Sequence, residues 1–312
     1  MISSRSMKPV LCIAGPTASG KSGAALSLAK AVDGEIINAD ALQVYSDIRI
    51  LSARPSDEDM KAAPHHLYGY VSGKTHYSGG QWVRTAMPVV LDVLARGKIP
   101  ILVGGTGLYF KSLFEGLAAV PEIDPDLIRK IDNRIEAEGI ASVLAEARAL
   151  DPIGTVRLQG DDPQRLTRLL SVVKQTGRPL HHWQSNTRPE IPAAYALRYV
   201  LMPPREALYQ RINSRFEVMV AEGGLDEAKA VFEEYGPEQS APMLKAIGLS
   251  HLLRHLKGEL DYDRSIELAM RDTRRFAKRQ MTWFRNQCAD WKRKEELNIN
   301  MIEKDIHLWE PS

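Results

Sequence analysis

Residues Gly15 Pro16 Thr17 Ala18 Ser19 Gly20 Lys21 Ser22 set two glycines five apart, followed by a lysine and a serine. That spacing suits a loop wrapped around phosphates. Gly15 and Gly20 let the backbone turn its N–H groups inward without Cβ clashes, and a helix starting there adds its positive end. Such a loop holds an anion of several charges, a di- or triphosphate. Lys21 would supply a point charge to it, and the Ser22 hydroxyl a ligand for Mg²⁺.

The loop needs a strand before it and a helix after it. Pro9 to Ala14 is an apolar run of buried-strand length, and Ala24 to Ala29 has helical character. Gly34 to Asp40 reads as a second short strand ending in an acid. Asp40 follows Lys21 by 19 residues, so both can sit at the C-terminal edge of one parallel sheet, where open α/β sheets bind their ligands. Gln43 to Gly80 is irregular and reads as a long functional loop region. Gln81 to Arg96 has helical spacing, and Pro100 to Val103 is a buried strand leading into Gly104 Gly105 Thr106 Gly107. This second glycine-rich loop lacks the strand-end acid with which an NTPase of this type helps to hold Mg²⁺. Group transfer to an acceptor bound beside the loop is therefore favoured over ATP hydrolysis.

Composition shifts at Pro121 to Pro125. From there to about Arg188 only helices are predicted: Leu127 to Glu138, Ile140 to Leu150 and Pro163 to Thr176. Ala194 to Met202 then reads as a return strand, with helices to the end. The expected architecture is α/β, a P-loop-type parallel sheet flanked by helices with an all-helical inserted subdomain. Residues 1–120 and 190–312 would form the core and 121–189 the insertion.

With 44% hydrophobic residues and a formal net charge of +2, the chain can bury a large core, and any nucleic-acid contact must come from local patches. Between Arg271 and Lys294 nine Lys/Arg face two acids. Arg271, Arg275, Lys278 and Arg285 share one helical stripe beside the apolar Ala277, Met281, Phe284 and Cys288. Two distant cysteines, Cys12 and Cys288, make neither a zinc site nor a disulfide framework, and a reducing cytoplasm is expected. The polar N-terminus and short apolar runs predict no signal peptide and no membrane span. His251 and His255 have the spacing of a metal pair but no acid between them, and are expected to pack.

Taken together, these residues resemble the tRNA dimethylallyltransferase family. The resemblance rests on Gly15 to Ser22, Asp40 to Tyr45, Val103 to Tyr109, Asp162 to Leu166, Arg211 to Phe216 and Lys278 to Arg285. It implies transfer of the dimethylallyl group of dimethylallyl diphosphate to N6 of adenosine 37 beside the tRNA anticodon, with Mg²⁺. The loop from Gly15 to Ser22 would bind the diphosphate, helped by Arg215 or Arg211, while Thr17 and Lys21 assist its departure. Asp40 would act as base and Thr106 would orient the acceptor amine. Asp40, Ala41, Leu42, Gln43, Thr106, Arg129, Gln164, Arg165, Leu166, Thr167 and Arg168 would contact the tRNA. Ile50 to Pro55, His66 to Gly69 and Ile247 to Leu249 depart from the family's usual pattern, and no role is carried over to them. Two distant cysteines cannot build the zinc finger of the eukaryotic members, which points to the bacterial type, and a monomer is expected. A P-loop kinase with a helical lid is the main rival reading; prenyl transfer to free AMP or ADP and a non-enzymatic RNA-binding module are others.

Overall fold

The computed structural model describes residues 8–118, 120–158, 162–185, 187–236 and 241–310. In chain order its elements are β1 (Val10–Ala14), α1 (Lys21–Val32), β2 (Gly34–Asn38), α2 (Asp57–Ala62), β3 (His65–His66), α3 (Gly79–Ala95), β4 (Ile99–Gly104) and α4 (Gly107–Glu115). There follow α5 (Pro125–Glu138), α6 (Ile140–Leu150), α7 (Pro152–Val156), α8 (Pro163–Thr176), α9 (Leu180–Gln184), β5 (Ala196–Leu201), α10 (Arg205–Met219) and α11 (Leu225–Tyr235). The last elements are α12 (Ile247–Leu256), α13 (Tyr262–Gln287), β6 (Lys292–Lys294) and α14 (Ile299–His307). Contacts divide the chain into two compact units, one joining Met1–Phe114 to Ile191–Ser312, the other Glu115–Glu190.

The larger unit is built on a six-stranded sheet of order β3-β2-β4-β1-β5-β6, with every pair parallel. Parallel sheets are covered on both faces, so their strands are apolar throughout; all five residues of β1 are buried. Its side chains alternate between two cores. Leu11 and Ile13 pack with Leu28 of α1 and Ile302 of α14, while Cys12 and Ala14 join Trp82, Phe216, Leu249 and Phe284 on the other face.

The expected strands and the helix after the phosphate loop are present, with ends shifted by a few residues. The stretch from Gln43 to Gly80 is not irregular throughout. Ser56 caps α2 with a reciprocal Ser56–Asp59 capping box, and His65–His66 add an edge strand to β2. His66 Nε2 lies 2.8 Å from a carboxylate oxygen of the buried Glu35, which also takes the Arg96 guanidinium. A strand also breaks the predicted all-helical C-terminal run: β6, Lys-Arg-Lys, pairs with β5. Three cations carry no hydrophobic alternation, so only the tertiary pairing reveals them as a strand.

The smaller unit is helical, α5 to α9, and has its own core of Ile131, Val143, Ala147, Leu166, Leu169, Leu170 and Val173. Among the described residues no helix is long and apolar enough to cross a membrane.

Candidate active site

The loop between β1 and α1 is shaped by two left-handed residues, Ala18 at φ 61° and Gly20 at φ 88°. The second is cheap for glycine; the first is uncommon for a residue with a Cβ and marks a loop held by its surroundings. Pro16 O accepts from Ser19 N and from Lys21 Nζ at 3.2 and 3.1 Å, and Ser19 is buried with its hydroxyl unpartnered. The first helical bond of α1 runs from Ala24 N to Gly20 O, leaving the amides of Lys21, Ser22 and Gly23 at the positive helix end. Gly15 sits where the loop crosses Leu201 of β5.

Thr17 is gripped twice. Its hydroxyl accepts from Arg215 Nη2 at 2.6 Å, and its amide donates to Gln280 Oε1 at 2.9 Å. The amide of Thr17 is thus engaged by a side chain of α13, which differs from the expectation that the loop amides together serve an anion. Arg211, one turn before Arg215 on α10, brings a guanidinium nitrogen alongside Gly20. Both arginines named for the diphosphate therefore reach the loop. Lys21 is enclosed, and burial pushes its ammonium down to about 8 against the opposing pull of Asp40, with Arg215 pushing it lower still.

Asp40 lies just past β2, and its geometry is set by Asn38. The fully buried Asn38 accepts from Asp40 N at 2.8 Å and donates to Asp40 O and Leu67 O. Trp82 Nε1 donates to Asn38 O, and its ring stacks on Tyr109. Asp40 Oδ1 accepts from Leu42 N, and Thr106 Oγ1 accepts from Ala41 N at 2.9 Å. Thr106 thus ties the Asp40 turn to the second glycine loop. The Gln43 amide points inward, donating to Ser52 O and Ala53 O. Its donors hold the backbone of this loop. The same loop is pinned from α11, where the Glu227 carboxylate accepts from Arg49 N, Ile50 N and Leu51 N.

Gln280 was missed as a site residue, although it lies inside the quoted Lys278 to Arg285 run. Its Nε2 donates to Gly105 O at 2.9 Å while its Oε1 takes the Thr17 amide. A Cβ on residue 105 would come within 2.5 Å of that Nε2, so the glycine at 105 serves this bridge. Asn38 and Glu227 were missed too; polar residues inside apolar or helical runs gave no signal.

A cavity of about 460 Å³ opens on these groups. Thr17, Asp40, Thr106 and Arg215 form its polar wall, and Leu51, Ile212, Phe216, Met219 and Phe276 an apolar one. Ala41 and Leu42 line it as well. Ser22 is exposed on the first turn of α1, and among the described residues no cluster of three His, Cys, Asp or Glu could cage a metal. A hard cation here would have to share its oxygens with a bound phosphate chain, and an exposed hydroxyl at the helix start fits that arrangement.

In the smaller unit, α8 starts at Asp162, which caps Arg165 N and pairs with the Arg165 guanidinium. Gln164, Arg165 and Arg168 are exposed. Leu166 is in the unit's core and Thr167 is buried, its hydroxyl donating to Asp132. These two side chains pack within the unit, since α8 alternates an exposed and a buried face. Arg129 is exposed and pairs with Asp126. His251 and His255 bond to Asp272 and to Leu260 O.

Residues 43–287 match the family model described as IPP transferase, and residues 8–68 that described as isopentenyl transferase. The chain is 45% identical over 287 residues to a tRNA dimethylallyltransferase of Maricaulis maris, covering 92% of this chain and 93% of the relative. To that of Azorhizobium caulinodans it is 46% identical over 292 residues, with 93% of each covered. Among solved structures it is similar to the tRNA isopentenylpyrophosphate transferase of Bacillus halodurans, with TM-score 0.67 and 29% identity, covering 96% and 94%. It is also similar to a eukaryotic dimethylallyltransferase acting on tRNA, with TM-score 0.77 and 29% identity, covering 89% of this chain and 70% of the other. With the sheet, the phosphate loop and the Asp40 turn all in place, the chain belongs to the tRNA dimethylallyltransferase family.

Proposed function

We propose that this transferase moves the dimethylallyl group of dimethylallyl diphosphate to N6 of adenosine 37 in the tRNA anticodon loop and releases diphosphate. The observation that carries this reading is a single cavity lined by Thr17 of the phosphate loop, its partner Arg215 and Asp40, together with an apolar wall suited to a branched five-carbon group. The comparisons speak for a prenyl-group transferase and not for a phosphoryl-transferring kinase.

The adenine amine is a weak nucleophile because its lone pair is delocalised into the ring. Asp40 would take a proton from N6 as the new N–C bond forms, and the C–O bond to the diphosphate breaks. Lys21, Arg215, the Thr17 hydroxyl and the amides at the start of α1 would hold the charge that develops on the leaving group. Mg²⁺, when bound by Ser22 and the diphosphate, would add further neutralisation. Thr106, bonded to Ala41 N, would line up the acceptor. Gln164, Arg165, Arg168 and Arg129 are proposed tRNA contacts, and the base must leave its stack at a cost of a few kcal/mol, repaid by such contacts. We propose a monomer working in the cytoplasm.

The test is incubation with radiolabelled dimethylallyl diphosphate, Mg²⁺ and unmodified tRNA, AMP or ATP. Label in tRNA supports the reading. Label in AMP alone, or phosphate released from ATP, overturns it.

A further inference from the structure

One face of α10 supplies much of the reaction cavity's wall. Ile212, Arg215, Phe216 and Met219 all line it, spaced as neighbours on a single helix face. Arg215 marks the anion end through its bond to the Thr17 hydroxyl. Met219 follows one turn later, with Phe216 beside it and Leu51 lining the same cavity. Phe216, Met219 and Leu51 are all buried and belong to the larger core. What lies behind them leaves no slack. The Phe216 ring rests on α12 at Gly248, where a Cβ would stand 2.6 Å from the ring atom Cε2. Leu51 is held by its amide, which donates to the Glu227 carboxylate at 2.8 Å. Its Cδ2 lies 3.1 Å from where a Cβ on Gly224 would be, and that Cβ would stand 2.7 Å from Met219 O. Gly224 ends a π-helical turn, Val220–Gly224, in which Gly223 takes φ 106°.

We propose that Phe216, Met219 and Leu51 set the length of the donor's hydrocarbon chain, admitting one five-carbon isoprene unit on the diphosphate and excluding the ten-carbon geranyl chain. The proposal rests on the reading above that an allylic diphosphate is the donor. With the diphosphate at the phosphate loop, the reacting carbon must stay within reach of the acceptor beside Asp40, and the tail is left the apolar wall. A dimethylallyl tail ends there. Five further carbons would have to displace side chains that are already packed from behind, and a close-packed wall resists that. Both donors are primary allylic diphosphates and change the same bonds: the carbon–oxygen bond to diphosphate breaks, the bond to N6 forms, and the amine proton passes to Asp40. Length therefore discriminates between them, and reactivity does not.

The test compares dimethylallyl and geranyl diphosphate as donors to unmodified tRNA, with kcat/KM measured for each and the product identified by its mass. The parent protein should favour dimethylallyl by about 10²-fold or more. Phe216→Ala and Met219→Ala should each raise kcat/KM for geranyl diphosphate at least about tenfold and leave that for dimethylallyl no higher than in the parent. Phe216→Leu, a smaller change at the same place, stands in if Phe216→Ala does not fold. Leu113→Ala empties a fully buried position of the same core outside the cavity lining; it should lower the melting temperature and leave the donor ratio unchanged. A parent that uses both donors equally, cavity variants with no gain on geranyl, or the same gain in Leu113→Ala overturns the proposal. Calorimetry with thio-linked, non-transferring analogues reads the same limit without turnover. The parent should bind the dimethylallyl analogue at least about tenfold more tightly than the geranyl one, and the cavity variants should narrow that gap. Discrimination in binding that these variants relax, with no transfer to tRNA from either donor, overturns only the assigned reaction. Transfer to tRNA without discrimination overturns only the length limit.

Discussion

Gln280 and Thr17, 263 residues apart, are joined by a 2.9 Å hydrogen bond from the Thr17 amide to the Gln280 carbonyl oxygen. Through the other end of the same carboxamide, the basic helix α13 holds the second glycine loop at Gly105. One side chain therefore bridges the phosphate loop and the second glycine loop, to which Thr106 in turn ties the Asp40 turn. Gln280→Leu strands a donor and an acceptor in a buried place, at about 1–3 kcal/mol each, so both melting temperature and turnover should fall. Gln280→Glu keeps the acceptor for Thr17 but cannot donate to Gly105 and adds negative charge beside the leaving group. Its kcat should drop at least about tenfold, or about 1.4 kcal/mol in barrier; steady-state kinetics showing an unchanged kcat would remove Gln280 from the mechanism.

Asp40→Asn should separate geometry from chemistry. The Asn38 contacts to the backbone of residue 40 remain, and the new carbonyl can still accept from Leu42 N. Single-turnover transfer should fall by about 10²-fold or more, since an amide cannot take the amine proton. A variant that transfers at the parent rate would sink the base assignment.

Lys21 makes binding of the diphosphate depend on pH. Its ammonium is pushed down to about 8 by burial, so in the unliganded protein it loses charge as pH rises through that value. A bound diphosphate favours the charged form and raises the pKa, so binding takes up a proton above pH 8. Affinity for a thio-linked, non-transferring diphosphate analogue should weaken by up to about tenfold per pH unit above 8. Lys21→Met should bind more weakly at pH 7 and remove that excess slope. Calorimetry across pH 6.5 to about 9.5 with equal slopes in both proteins would reject the assignment.

Glu35 is 3% exposed and anchors Arg96, His66 and Lys98 at the start of β2. The Arg96 hydrogen bond leads the forces that pull its carboxyl from 4.5 to about 2, overcoming burial, with His66 adding to the pull. Because the folded pKa is depressed, the stabilisation is present above pH 4.5 and fades as pH falls toward 2. Glu35→Gln should lose about 2–3 kcal/mol at pH 7. In urea melts the gap from the parent protein should narrow steadily below pH 4.5; a gap constant with pH would mean that the charge is not its source.

The sequence by itself determined what local pattern can encode. Apolar runs and helical spacing pointed to β1, α1, β4 and the helices α5, α6 and α8, and the spacing of Gly15, Gly20, Lys21 and Ser22 pointed to the phosphate loop between strand and helix. The strand-end position of Asp40 was also legible, because a parallel sheet brings such ends to one edge. Tertiary structure alone decided which polar residues hold this edge together. Gln280 and Glu227 act on backbone groups far away in the chain, and Asn38 reaches Leu67 O besides its neighbour Asp40, so no local spacing marks these long-range bonds. It also decided that Leu166 and Thr167 turn inward while Arg165 and Arg168 stay exposed, and that Lys292–Lys294 form a strand. Burial and long-range hydrogen bonding depend on which surfaces meet, and that is fixed only once the chain has closed on itself.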